Sequence, residues 1–260
     1  MIKRIIIVSL LLIVPAWGLL PLEKQIHAER NRLKYGSARV ALSVRDRITQ
    51  NMWIALLAGF RGIVADFMWI RSHSFWEQRQ WLRQFRELET VVLLQPQSAL
   101  FWDVGAWHMA WNIGYAERVG TNHVTQAQGL KRERIWHERA RDFLLRGIEN
   151  IPNRYDLYFK LGWLYQQKFN DYCAAAVYYE KALEFPNAPA YVGNQTARAF
   201  ERCGDIVTAY EVWVDMWRQG RPTFRNVIER EIKRLEDVLR LPDDERVFPK
   251  HATNPPPPLP

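Results

Sequence analysis

Two segments of this chain carry the same ordered set of small and large residues, and that repetition limits what the chain can become. The first runs Leu161, Gly162, Tyr165, Ala175, Tyr179, Ala182 and Pro186; the second runs Thr196, Ala197, Phe200, Gly204, Asp205, Ala209, Trp213 and Met216. Small residues recur where two helices must touch, large ones where space must be filled, and a breaker closes each unit. A two-helix unit of this kind cannot bury its apolar face alone, so it has to stack on neighbours. Stacking helical hairpins produces a concave surface, the kind of surface that holds another protein.

The pattern resembles the tetratricopeptide repeat, a helix–turn–helix unit of about 34 residues. The resemblance covers two units, residues 154–188 and 189–222, the earlier one with an extra residue in its turn around 169–172. Residues 97–153 form a divergent third unit. Phe101, Val104, Gly105 and His108 have the spacing of its first helix; Ala140, Leu144, Gly147 and Pro152 have that of its second. Between them, residues 116–131 contain Gly120, Thr121, Asn122 and Gly129 and are expected as an inserted loop. Gly59-Phe60-Arg61-Gly62, Asp66 and Trp69-Ile70-Arg71 look like an element of uncharacterised membrane-anchored bacterial repeat proteins. So do Phe101-Trp102-Asp103 and the run from Ala106 through Asn112.

What the resemblance implies is an all-α fold: a short right-handed solenoid with a C-terminal capping helix. It also implies a scaffold and not an enzyme. A partner protein is then expected on the first helix of each unit, where the family's groove-facing positions fall on Trp102, Ala106, Met109, Asp156, Phe159, Trp163, Gln166, Asn194, Arg198 and Glu201. Aromatic anchors mixed with hydrogen-bonding groups suit that role. Trp102 and Trp163 fit equally well as packing residues, and a one-residue shift at Gly105 would exchange Trp102 for Phe101.

The N-terminus reads as an anchor. Lys3 and Arg4 precede an apolar run over residues 5–22, which reaches about 27 Å as a helix, the lower end of what spans a bilayer. Ile26-His27-Ala28 is a poor cleavage site, so a retained signal-anchor over 1–22 is expected, with a cleaved signal as the alternative. The bulk of the chain would then lie on the exported side of a bacterial inner membrane. A membrane-proximal helical linker follows over 23–50, then a degenerate helical hairpin over 51–96. Its first helix, residues 52–70, is apolar enough to resemble a second span, but Arg61 and Asp66 are costly in lipid. Burial within the solenoid is the expectation, a membrane-lying helix the alternative. At the other end, 223–243 read as the cap, with Val227, Ile228, Ile232, Leu235, Val238 and Leu239 inward and Arg225, Glu229, Arg230, Lys233, Arg234 and Glu236 wetted. Residues 244–260, ending in a proline run, are expected as a disordered tail.

The chain of 260 residues carries a formal charge of +8, which raises nucleic acid as a partner. Acids interleave with the bases, however. The densest basic stretch, residues 131–141, includes Glu133 and Glu138 and fits a solvated helix face with internal ion pairs. Neither nucleic acid, a small-molecule substrate nor a cofactor is expected. The enzyme alternative rests on Asp66, His73 and Glu77, which share one helical face and could chelate a metal. No His-Glu-x-x-His, paired-cysteine or glycine-rich phosphate motif accompanies them. The two cysteines, Cys173 and Cys203, fall at the start of one helix and the end of its antiparallel neighbour. They could close a disulfide in an oxidising compartment, or stand as two small buried helix residues.

Overall fold

The computed structural model describes residues 59–120, 125–220 and 224–250. The expected signal-anchor over 1–22, the linker over 23–50 and the final prolines lie outside those residues. Every regular element among the described residues is helical, so the chain is all-α. No described helix is long and apolar enough to cross a membrane. The chain divides into two compact units, one ending at Pro152 and the other beginning at Asn153.

In the first unit, α1 (Arg61–Glu77) and α2 (Trp81–Leu94) form a hairpin. The turn falls at residues 78–80, later than the spacing predicts, with Arg79 at φ 56° reversing the chain. α1 corrects the expectation of a buried helix. Its inward face is only Ala65, Met68 and Ser72, while Ile63, Phe67 and Ile70 are exposed. Small residues let α2 approach closely, and the larger apolar side chains are left on the other faces.

α3 (Ala99–Trp107) continues through a π-helical turn (His108–Ile113) into α4 (Gly114–Val119), and α5 (Gln126–Asn150) packs along all three. The segment expected as a loop over 116–131 is therefore largely helical. Thr125 explains the restart: its hydroxyl accepts from the Gln128 amide at 3.3 Å, and the Gln128 side chain accepts from the Thr125 amide at 3.1 Å. This reciprocal pair satisfies two otherwise unpaired amides of the first turn.

The second unit stacks each helix on the next: α6 (Tyr155–Leu164), α7 (Tyr172–Leu183), α8 (Ala190–Cys203), α9 (Ile206–Arg218) and α10 (Arg225–Val238). The extra residue near 169–172 is taken up by a π-helical turn, Tyr165–Phe169, after which Asn170 enters the left-handed region at φ 52°. A π-turn admits one residue without breaking the helix. Asp171 and Asp205 then cap α7 and α9, accepting from Ala174 and Thr208 amides at 2.9 and 3.0 Å. Gly162 lies so close to α7 that a Cβ there would sit 2.7 Å from the Tyr179 ring. Tyr179, Ala182, Ala209 and Trp213 are fully buried. Burying a large apolar side chain contributes about 1.5–3 kcal/mol each.

The C-terminal end differs from the expected disordered tail. Residues 241–250 fold back onto α9 and α10, with Val247 and Phe248 against the core around Trp213 and Phe248 edge-on to Trp217 at 5.0 Å. Glu236, expected on the wetted side, is completely buried. Its carboxylate accepts from the Val247 and Phe248 amides at 2.6 and 3.2 Å and from the Tyr210 hydroxyl at 3.4 Å. Val238, expected inward, is 55% exposed. Backbone donors replace water at one oxygen of this buried carboxylate, Oε1, while Oε2 is buried without a hydrogen-bond partner among the described residues.

Candidate protein-binding face

The ten expected groove positions separate by unit. In the first, Trp102, Ala106 and Met109 are buried at 3%, 2% and 0% exposure. They belong to the core, and Phe101, at 6%, offers no better register. The reason is α5, which covers that side of α3. The Trp102 ring meets Phe143 at 4.8 Å and lies against Gly147, and its indole N–H donates to the Pro96 carbonyl at 2.8 Å.

The other seven lie in the second unit on α6, its π-turn and α8, none of them buried. Residues 156, 159, 163 and 166 recur at helical spacing along α6 and its π-turn, and 194, 198 and 201 do so along α8. Phe159 joins the two helices, its ring 5.1 Å from both Tyr179 and Tyr191. Trp163 is half-buried against the cluster of Ala175, Ala176, Tyr179 and Ala199, with the Lys160 ammonium 5.9 Å over its ring. It is thus partly packing and partly surface.

Three of the five polar or charged candidates among them are engaged within the unit. Asp156 pairs with Arg154, Gln166 accepts from the Tyr179 hydroxyl at 2.9 Å, and Glu201 holds Arg234 at 2.7 Å. Burial pushes the Tyr179 phenol far above its ordinary range, so it stays a proton donor to Gln166. Asn194 and Arg198 are different. The Asn194 side-chain carbonyl is buried without a hydrogen-bond partner. Arg198 is exposed and forms no ion pair among the described residues. Both lie on the same side of α8 as Tyr191, an aromatic 42% exposed. Tyr191 is absent from the expected set, although its spacing of three and seven residues from Asn194 and Arg198 places it on their face.

The Asp66, His73 and Glu77 alternative gains nothing in three dimensions. His73 and Glu77 approach to 3.6 Å, but both are exposed at 60% and 63%. Arg71, on the same helix, forms a two-oxygen bond with Glu87 at 2.7 and 2.8 Å. Among the described residues, no group of three or more His, Cys, Asp or Glu side chains is placed to hold a metal ion.

The cysteines do meet. Cys173, exposed at the start of α7, and Cys203, half-buried at the end of α8, form a disulfide with Cα atoms 4.9 Å apart. The reading of two buried free thiols is corrected: the antiparallel packing of α7 on α8 sets the helix start beside the helix end.

No protein-family model matches the sequence, and no curated protein is significantly similar to it.

Proposed function

We propose that this chain is a non-catalytic adaptor of the tetratricopeptide type, holding a segment of a partner protein on the α6–α8 face of its second unit. The observation that carries this reading is the placement of Asn194 and Arg198 on one side of α8, with Arg198 exposed and without an ion pair among the described residues. Phe159, Trp163 and Tyr191 flank the pair with half-exposed aromatic surface, the composition of an interface anchor. Arg198 adds a cation for a carboxylate on the partner.

In this reading the chain sits in a bacterial inner membrane through residues 5–22, with both units on the exported side as part of an envelope assembly. The disulfide supports an oxidising location, because such bonds are rare in the reducing cytosol. The exposed Ile63, Phe67 and Ile70 of α1 suit a place near the membrane surface.

The test is site-specific photocrosslinking of the full chain in its native membrane. Benzoylphenylalanine at Tyr191 should give a discrete protein adduct, and the same probe at exposed Arg230 should give none. Equal or absent adducts at the two positions would contradict the assignment of this face.

A further inference from the structure

A strongly charged concavity of the first unit is untouched by the function proposed above. A cleft of about 740 Å³ is lined by residues of α2, α4 and α5. Arg79, Arg83 and Arg86 reach it from the turn before α2 and from α2 itself; Arg132 and Arg139 reach it from α5. The spacings explain the convergence, since residues three, four and seven apart share a helical face. Trp136, itself buried, lies between the two α5 arginines on that face.

Five guanidinium groups face one carboxylate there. Glu117 lies 3.6 Å from Arg132. Four other acids of these helices are engaged elsewhere: Glu87 with Arg71, Glu89 with Arg146, Glu133 with Arg118 and Glu138 with Arg134. Arg79, Arg83, Arg86 and Arg139 have no carboxylate within ion-pair distance among the described residues. Two of the four are nonetheless held in place. Arg83 donates to the Gln80 side chain at 2.8 Å, and the Arg139 guanidinium lies 4.4 Å over the Trp136 ring and 5.4 Å over Phe85. Like charges gathered without counter-charges repel one another, and an entering anion relieves that repulsion.

We propose that this cleft binds the phosphate group of an organic phosphate. A carboxylate is satisfied by one or two guanidinium forks, whereas a phosphate offers acceptors to more of them and prefers arginine's planar geometry. Leu82, Ile135 and Trp136 supply apolar wall for the organic portion. The phosphate can come from a soluble ester or from a lipid headgroup, and the two sources are separable by experiment. This inference is independent of the α6–α8 face.

The test uses the full chain in a neutral detergent, titrated calorimetrically with inorganic pyrophosphate, short-chain phosphatidylglycerol and short-chain phosphatidylcholine. Saturable binding of pyrophosphate, weakened by added salt, assigns the site to soluble phosphates. Saturable binding of phosphatidylglycerol alone assigns it to an anionic headgroup. In either case Arg83→Gln with Arg86→Gln should weaken binding about tenfold or more. The charge-matched Arg218→Gln with Arg230→Gln, both exposed at about 70%, should leave it unchanged. Circular dichroism must show both pairs folded; if the first pair unfolds, Arg132→Gln serves instead. The proposal is overturned if neither anion binds, if phosphatidylcholine binds equally well, or if both variant pairs lose binding alike. Binding of a single-stranded oligonucleotide without pyrophosphate or phosphatidylglycerol overturns it too.

Discussion

Cys173 and Cys203 stand with Cα atoms 4.9 Å apart, 30 residues from each other in sequence, and their bond ties α7 to α8 across the join of two helical hairpins. Closing a loop of that length stabilises by about 3–4 kcal/mol in the chain-entropy account. Reduction, or Cys203→Ser, should lower the denaturation midpoint by a corresponding amount, and Cys173 is exposed to reductant. Denaturant titration with and without reductant measures it. An unchanged midpoint, with alkylation confirming free thiols, would remove the disulfide from the account of stability.

Gly162 and Tyr179 give a second outcome. A methyl at Gly162 would meet the Tyr179 ring at 2.7 Å and the Ala175 carbonyl at 3.1 Å. Neither can retreat easily, because Tyr179 is fully buried and the carbonyl is backbone. Gly162→Ala should therefore destabilise by about 1–3 kcal/mol. At Gly204, where space is open but φ is +94°, Ala should cost about 1 kcal/mol through backbone strain alone. Chemical denaturation of the two variants ranks them, and the reverse order would contradict the close helix approach.

Burial, with the charge of His73 adding to it, lowers His108 from 6.5 to about 4. The folded chain keeps this ring neutral where the unfolded chain takes up a proton. The contribution is whole above pH 6.5 and is lost as pH falls from there toward about 4. Because the ring is part-exposed, the loss should be modest, about 1–2 kcal/mol. His108→Gln, which can keep the bond to Asn112, should flatten stability against pH in that window. Identical slopes for parent and variant would refute it.

Glu236→Ala should release the C-terminal strap. The Val247 and Phe248 amides lose their acceptor, and each buried donor left unpaired costs about 1–3 kcal/mol. Hydrogen exchange should accelerate at these two amides before α8 or α9 is affected. Unchanged protection would show that the ring of Phe248 against Trp217 holds the strap alone.

The second unit was the more legible part of the sequence, because its contacts are encoded by size at fixed spacing. Gly162 faces Tyr179, and Ala209 and Trp213 are buried, for reasons that composition at helical intervals expresses. Glu236 was not legible: a charged residue reads as wetted unless its partners are known, and backbone amides leave no mark in sequence. Trp102, Ala106 and Met109 were misplaced because register says which face a residue takes, while only the fold says that α5 covers that face. The helix restart at Thr125 carried a signal in the Thr-x-x-Gln spacing that the glycines of the same stretch outweighed. The arginine cleft was hidden because Glu89 and its partner Arg146 are 57 residues apart. A mixed run of charges looks self-neutralising until its acids are seen engaged elsewhere.

The measurement closest to the central claim is partner capture by the full chain carrying Trp163→Ala and Arg198→Ala, read beside its thermal midpoint. The parent should retain a specific partner from solubilised membranes. The double variant should lose most of it while helicity is kept and the midpoint falls by only a few degrees, since Trp163 is half-exposed and Arg198 has no ion pair among the described residues. Undiminished capture by a folded variant would contradict the claim that this face holds the partner. Loss of the fold itself would show Trp163 to be a packing residue, and would likewise take it off that face.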